Sequence, residues 1–505
     1  MCVKKLVLAL LILLPVAAWG QYKDAEGAAE GDSTLVLTLD DAIRIALSEN
    51  TSVKVADMEV QRQKYARKGS YGALFPQINA SASFQHTLKK QRMYMGGGSD
   101  SGSGGGMASM LGSAFEPYNY YIAEFLKKHP DIQPYQAAPV EEKEESSGDS
   151  GFEVGRKNTW NAGINASMPL VNVQLWESLR ITGDQVELAV EQARESRLGT
   201  VTQVKQAYYA VLLSKASYDV YNAVYENAIQ NLKFTESKYN VKKASDLDLA
   251  RAQSSVAAAI PNLYNADNAI TLALWQLKAV MGLDLDRDID VVGTLEDYAQ
   301  HMFYDINEGA DASLDNNTQL RQLAAQAEML SKQIKMHQDA YIPTLNVNFA
   351  YSYNAMAEDF VFKNYQWTPY SYVGLSLSIP IFSGGTRYHQ VKQARVQADE
   401  LDIQRENTER QIRIGIRQSL STMDTAMKTY DAAKEALTSA EKAYSIASRS
   451  FEVGKSTLTD LNNTELTLTQ TRLQTVQAIY NFIVAKASLE QTLGYDYTEE
   501  KTYEQ

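Results

Sequence analysis

Cysteine is nearly absent from this 505-residue sequence, and the single one, Cys2, lies near the N-terminus. It is followed by two lysines, an unbroken apolar run over 6–14 and small residues just before Gln21. This order is typical of a secretory signal peptide, which we predict over 1–20. The apolar run is shorter than a membrane span, which favours a cleaved peptide over a retained anchor. The mature chain would then contain no thiol, and disulfides and thiolate metal sites are excluded.

Clusters of positive charge and catalytic motifs are also lacking. The formal net charge is -13, which argues against a nucleic-acid partner. The sequence contains no nucleophile elbow, no zinc-binding helix motif and no phosphate loop. Five histidines are scattered along the chain without a shared helical face: His86, His129, His301, His337 and His389. We therefore predict no enzyme activity, no catalytic or metal site and no cofactor.

Two long stretches, 171–240 and 384–452, lack proline. From Val204 to Tyr239, apolar and small residues recur at alternating intervals of three and four. Adding 212 to each number gives the same alternation from Ile416 to Phe451. This pattern, kept over five heptads, predicts a coiled-coil seam. Each stretch could form a helix of about 105 Å, too long for a globular core.

Each long helix is followed by a short break and a second helix. The breaks lie at 242–245 and 454–457, where Ser245 or Asp246 and Thr457 or Thr459 are candidate N-caps. The returning helices are expected to end near Met281 and Leu493, before glycines. The sequence thus predicts two antiparallel helical hairpins, 171–281 and 384–493, in two structural repeats. The first repeat covers 38–290 and the second 291–496, between an N-terminal extension at 21–37 and a tail at 497–505.

Beyond residue 20 no run of 18 apolar residues occurs, but four segments alternate with period two. They cover 77–88, 159–169, 344–353 and 372–381, each about as long as a tilted membrane strand. One face of each is apolar, and the other is rich in asparagine, serine and threonine. A water-soluble sheet with one buried face shows the same alternation, but the neighbouring long helices and the signal peptide favour a membrane barrel.

Four strands are too few to close a barrel, which needs about eight. An open strand edge in lipid would leave backbone groups without partners, so other copies of the chain must supply strands. The loop over 91–157 contains a Gly/Ser-rich stretch at 96–106 and an acidic run at 141–145. It joins two strands at the end away from the helices, so we expect it to be extracellular.

Several local stretches carry a family likeness: 38–47 followed by Asn50, 73–76, 379–385, and 451–461. The whole mature chain resembles the TolC family of outer-membrane factors. The resemblance implies an α+β membrane protein with an internal duplication. Four strands per protomer would join a transmembrane β-barrel closed by oligomerisation, continuous with a long periplasmic α-helical coiled-coil barrel. It further implies a homotrimer in the lipid of the outer membrane, a periplasmic adaptor protein and a proton-driven or ATP-driven inner-membrane pump.

The resemblance also assigns roles at the periplasmic tip. Asp460 matches an acidic residue that narrows the tunnel in the family, and Asn463 stands where a second acid is often found. Asp246 or Asp248, with Arg251, are candidates for ionic links that hold the tip shut. Helix capping and solvated charge explain the same residues equally well. The candidate adaptor contacts are the turn residues Lys243, Gly454, Lys455 and Ser456.

The function expected from these observations is a passive conduit for drugs or metabolites in a tripartite efflux pump. Two alternatives stay open at this stage. One is an outer-membrane conduit for type I protein secretion, and the other is a structural spacer that spans the periplasm without conducting. The uncharged polar strand faces favour a water-filled lumen and therefore a conduit.

Overall fold

The computed structural model describes residues 35–94, 121, 124–131, 151–300, 302, 313–361, 363 and 365–497. The predicted signal peptide, most of the N-terminal extension and the C-terminal tail after 497 lie outside these residues. The Gly/Ser-rich stretch and the acidic run of the 91–157 loop also lie outside them.

The chain divides into two compact units, and each unit draws on both halves of the sequence. The helical unit comprises the described residues within Met1–Gly72, Val173–Ile342 and Pro380–Gln505. The sheet unit comprises those within Ala73–Asn172 and Pro343–Ile379.

The helical unit contains two very long helices, two return helices and several shorter elements. In chain order its elements are β1 (Leu35–Leu37), α1 (Leu39–Glu49), α2 (Thr51–Tyr71), α3 (Val173–Asn240), α4 (Asp246–Met281), β6 (Ile289–Val291), α5 (Leu295–Ala299), α6 (Thr318–Asp339), α7 (Thr386–Glu452) and α8 (Leu458–Leu493). Helices α3 and α7 have 68 and 67 residues, which corresponds to roughly 100 Å each. Of the described helices, none combines the length and the apolar character needed to cross a membrane.

Capping residues explain where the return helices begin. In the structure the N-cap of α4 is Ser245 and not Asp246, and the N-cap of α8 is Thr457 and not Thr459. Each side-chain oxygen accepts from the backbone N–H three residues ahead, at 3.2 Å. The aspartate at that third position accepts from the cap residue in return, which completes a capping box. These boxes turn the chain back at corresponding places in both halves.

A second device recurs at the far ends of the return helices. Gly282 and Gly494 end α4 and α8 in the left-handed conformation, with φ of 74° and 75°. Next to each glycine lies a buried asparagine that is the N-cap of another helix. Asn50 caps α2, and Asn317 caps α6. Asn50 Nδ2 donates to the Val280 carbonyl at 2.7 Å, and Asn317 Nδ2 donates to the Thr492 carbonyl at 2.7 Å. We call these two contacts the asparagine locks.

Helices α3 and α6 meet along a charged seam, in which carboxylates at seven-residue intervals on α3 face cations of α6. The pairs are Glu177 with Lys335 at 3.0 Å, Asp184 with Lys332 at 2.6 Å and Glu191 with Arg321 at 3.5 Å. Asp184 is 8% exposed, so its contact with Lys332 is largely shielded from water.

The main sheet is antiparallel, with the strand order β2-β5-β7-β8. Its strands are β2 (Gln77–His86), β5 (Asn158–Val171), β7 (Thr344–Ala357) and β8 (Gln366–Ser378). A short ribbon of β3 (Gln91–Tyr94) and β4 (Gly151–Val154) was not expected from the sequence. The fourth strand also differs from the 372–381 prediction, because it starts six residues earlier and ends three earlier. It passes through Pro369, which an outermost strand tolerates because one of its edges needs no backbone donor.

Candidate functional site

The strand register brings the apolar residues of all four strands onto one face of the sheet. Ile78 lies opposite Ala166, which pairs with Phe349, which in turn pairs with Val373. The next row joins Gln77, Ser167, Asn348 and Gly374, none of which has an apolar side chain. Because side chains alternate between the two faces of a strand, consecutive rows belong to opposite faces. The alternation seen in each segment alone is therefore shared across the sheet.

The polar face carries hydrogen-bonding groups without formal charge. The four strands contain no aspartate, glutamate, lysine or arginine. On this face Asn348 Nδ2 donates to Ser376 Oγ at 2.9 Å. A surface of this composition is readily wetted, and it presents no fixed charge.

The apolar face is largely uncovered in the single chain. Val373 and Leu375 of β8 are 74% and 70% exposed, and Ile78 of β2 is 70% exposed. Within the sheet, β2 and β8 are the outermost strands, so each has one edge without a backbone partner among the described strands. A long exposed edge beside an apolar face requires either lipid and further strands or another covering partner.

Aromatic and polar contacts build up the end of the sheet where β2 finishes. Phe84 packs against Trp160 with ring centroids 4.5 Å apart, and Phe360 stacks on His86 at 5.3 Å. His86 Nδ1 lies 2.6 Å from Asn158 Oδ1, and Asn158 donates to the Asp359 carbonyl at 2.9 Å. The segment between β7 and β8 is thereby fixed to β2 and β5.

The second candidate region comprises the turns of the two helical hairpins, which we call the tips. At the first tip, the hydrogen bond from Ser245 holds the pKa of Asp248 below its usual value. At the second tip, the hydrogen bonds from Thr457 lower the pKa of Asp460 in the same way. Both carboxylates therefore keep their negative charge over a wider pH range than an unbound aspartate.

Polar contacts join the first hairpin to the second near the tips. Arg251 of α4 lies 3.4 Å from the hydroxyl of Thr459, and Asn462 Nδ2 donates to Ser255 Oγ at 3.0 Å. Lys238 Nζ donates to the Phe451 carbonyl at 2.8 Å, close to the end of α7.

Lys238 also lies over two aromatic rings, and we call this arrangement the lysine clamp. The ammonium group is 4.2 Å from the Phe234 ring centroid and 4.8 Å from that of Phe451. The rings meet edge to face, with centroids 5.7 Å apart. The clamp thus combines a charge-assisted hydrogen bond with two cation–π contacts across the hairpins.

The residues singled out from the sequence occupy different places at the tips. Asp246 accepts from the Tyr239 hydroxyl at 2.7 Å within its own hairpin, and Arg251 contacts the other hairpin. Asn463 is exposed on the first turns of α8. Lys243, Gly454 and Lys455 are exposed in the turns, and Ser456 is half-buried beside Asp460. Their gating and adaptor roles stay predictions.

Sequence reasoning missed the contact of Lys238 with Phe451 and the burial of Glu465. Lys238 and Phe451 are 213 positions apart, and no local pattern connects them. Glu465 could have been found, because it follows Leu458 and Leu461 and precedes Leu468 at the spacing of a helical seam. It is 8% exposed.

Comparisons with known proteins agree with this architecture. A family model described as outer membrane efflux protein matches residues 141–283 and 310–495. Outer membrane protein TolC of Escherichia coli is 21% identical over 349 residues, covering 67% of this chain and 70% of the relative. TolC of Vibrio cholerae is 22% identical over 236 residues, and this match spans about half of each protein, 46% of this chain and 53% of the relative.

Solved structures share the fold at low sequence identity. The outer membrane protein VceC of Vibrio cholerae has a TM-score of 0.64 at 16% identity, covering 90% of this chain and 96% of that one. The CmeC outer membrane channel of Campylobacter jejuni has a TM-score of 0.63 at 15% identity, covering 95% and 93%. Together with the family match over more than half of the sequence, these likenesses establish that the chain is an outer-membrane protein and belongs to the outer membrane efflux protein family.

Proposed function

We propose that this protein is the outer-membrane channel of a tripartite efflux pump, a passive conduit for small molecules. It would receive drugs or metabolites from an inner-membrane transporter through a periplasmic adaptor and release them outside the cell. The observation that carries this proposal is the two-faced sheet, with one exposed apolar face and one uncharged polar face in register across four strands.

Strand length supports the assignment of the apolar face to lipid. Strands β5 and β7 have 14 residues each, or about 46 Å at roughly 3.3 Å per residue. Tilted by about 45°, such a strand rises about 33 Å, enough for a hydrocarbon layer of about 30 Å. The polar face would then line a water-filled lumen.

The open edges of β2 and β8 support closure of the barrel by several copies. An unpaired backbone group in lipid is unfavourable by several kcal/mol, and both outer strands carry a row of them. Three copies would contribute twelve strands to one barrel, the number that the family resemblance suggests. The same trimer would bring twelve long helical segments together as a tunnel across the periplasm.

An internal duplication accounts for the repeated features of the chain. The capping boxes at Ser245 and Thr457 are 212 residues apart, as are the cap glycines Gly282 and Gly494. The asparagine locks repeat one long-range hydrogen bond in both halves. We infer that the repeats 38–290 and 291–496 arose from one unit.

The tips are the proposed site of adaptor docking and of the periplasmic aperture. Lys243 would contact the adaptor from the turn of the first hairpin. Lys455 would do so from the turn of the second, together with its neighbours Gly454 and Ser456. Asp460, Asn463 and Asp246 or Asp248 would lie near the aperture, and Arg251 would help to hold it closed through Thr459.

Conductance measurements test the conduit directly. The purified full chain, added to a planar lipid bilayer, is expected to give discrete current steps. A chain that folds into lipid and gives no current would favour the non-conducting spacer.

Crosslinking in cells identifies the partners and separates efflux from protein secretion. A single cysteine replacing Ser456 would be crosslinked with a short bifunctional reagent, and captured proteins identified by mass spectrometry. Capture of an adaptor with a proton-driven pump supports efflux, and capture with an ATP-driven exporter supports secretion. Gln404→Cys, on the exposed shaft of α7, is the matched control. Capture of envelope scaffold proteins alone would contradict the pump assignment.

A further inference from the structure

Glu465 is a carboxylic acid inside the packing between the two hairpins. It lies on α8 in a seam with Leu458, Leu461 and Leu468, which are 4%, 0% and 6% exposed. Glu465 itself is 8% exposed, and its Oε1 is buried without a hydrogen-bond partner in the described structure. Placing an acid at such a position requires a physical reason, since burying an ionised carboxylate is strongly unfavourable.

The surroundings of Glu465 offer little to stabilise a negative charge. From α3 of the first hairpin, the Asn227 side chain faces the carboxyl group and lowers its pKa, against the larger effect of burial. From α7 the titratable neighbour is Tyr444, whose pKa is raised to about 12 by burial and by the Glu465 charge. Arg472, further along α8, is paired with Glu441 at 3.1 Å. Of the described lysines, arginines and histidines, none lies within 4.0 Å of the Glu465 carboxylate.

The first hairpin provides a contrast. At the position 212 residues earlier stands Gln253, an uncharged side chain of the same shape, and it is exposed. The packing of a return helix therefore does not by itself require an acid here. The acid is specific to the second hairpin, where the group faces Asn227 of the first.

We propose that the Glu465 carboxyl group is a proton-binding site that couples pH to the packing of the two hairpins against each other. The protonated acid is compatible with the packed arrangement, because it is neutral. The ionised form favours an arrangement in which α8 moves away from α3 and water reaches the carboxylate. The inference rests on the proposed function only in that separation of the hairpins would widen the conduit.

The direction of the effect follows from burial. Burial raises the pKa of Glu465 above the usual value of a glutamate in the packed state. The packed state consequently binds the proton more tightly than a separated state with Glu465 in water. Lowering the pH stabilises packing, and raising the pH through the raised pKa removes that stabilisation. The ratio of separated to packed molecules changes by up to about tenfold for each pH unit in this window.

Distances between spin labels test the inference without requiring conduction. Labels on cysteines replacing the exposed Lys243 and Lys455 report the separation of the two tips in the full chain. Excess unlabelled protein ensures that pairs within one chain are measured. We expect a longer-distance population that grows as the pH is raised above the usual titration range of a glutamate. In Glu465→Gln, the distribution of spin-label distances should be the same at every pH and match that of the parent at low pH.

Glu452→Gln removes an exposed carboxylate at the end of α7 and is the matched control. The spin-label distances of this variant should change with pH as those of the parent do. The inference is overturned if Glu465→Gln retains the pH response, or if the parent shows none. A chain that shows the distance change but carries no current would contradict the proposed function and leave the proton site standing. The isosteric glutamine should preserve folding, which far-ultraviolet circular dichroism would verify.

Discussion

Replacing Gly494 with alanine should destabilise the protein far more than the same change at another left-handed glycine. Gly494 ends α8 at φ +75°. A Cβ atom there would lie 2.1 Å from the Asn316 carbonyl oxygen and 2.7 Å from its carbon. Both are backbone atoms, so the C-terminus of α8 must move away from the N-terminus of α6. That movement would break the asparagine lock, in which Asn317 donates to the Thr492 carbonyl at 2.7 Å.

The magnitude has two parts. The left-handed conformation disfavours any residue with a Cβ by about 1–2 kcal/mol. Loss of the lock leaves buried polar groups without a partner, which costs about 1–3 kcal/mol more. We expect Gly494→Ala to lower the free energy of unfolding by about 2–5 kcal/mol in total.

Gly454 provides the matched control, since its φ is +78° and a Cβ there would meet nothing within 4 Å. Gly454→Ala should lose only the conformational part, about 1–2 kcal/mol. Both variants would be unfolded by guanidinium in detergent and followed by circular dichroism. Equal losses in the two variants would refute the steric reasoning and the importance of the lock.

Three further predictions concern the sheet, the tips and the charged seam. Leu375→Arg, on the apolar face, should reduce folding into the outer membrane by about 2–4 kcal/mol, whereas Ser376→Arg should fold and shift ion selectivity, as read from reversal potentials. Lys238→Met should lose the lysine clamp, about 1–2 kcal/mol, and make proteolysis at the hairpin turns faster; unchanged proteolysis would count against it. Lys332→Met should lower the free energy of unfolding, measured by thermal unfolding, by about 2–3 kcal/mol, a value that allows for the partial exposure of Lys332. If the unpaired charge of Asp184 is the cause, adding Asp184→Leu should restore most of that loss.

Local signals made the four helices of the hairpins and most positions of four strands predictable. The three-four spacing, the proline-free stretches and the oxygen-bearing caps act within a few residues, so they can be read directly from the chain. The strand predicted over 344–353 continues to Ala357 in the structure, because β8 pairs with it as far as Met356 and β5 as far as Ala357. Pairing between strands thus set a boundary that alternation alone did not.

Elements that depend on distant partners were not predictable. Strands β1 and β6 have three residues each and pair in parallel across about 250 positions, so neither shows a pattern of its own. The lysine clamp and the asparagine locks join residues more than 170 positions apart. The sequence around a lysine or an asparagine does not indicate which distant carbonyl its side chain will bind.

The sequence by itself therefore determined the long helices with their caps and the approximate positions of four strands, since periodicity and capping are properties of neighbouring residues. Only the tertiary structure decided which elements meet. It placed β5 beside β7, so that four alternating segments became one two-faced sheet. It also brought Glu465 against Asn227, where burial raises the pKa of the Glu465 carboxyl group. The physical reason is that desolvation depends on everything packed around a side chain, and most of those neighbours are remote in the sequence.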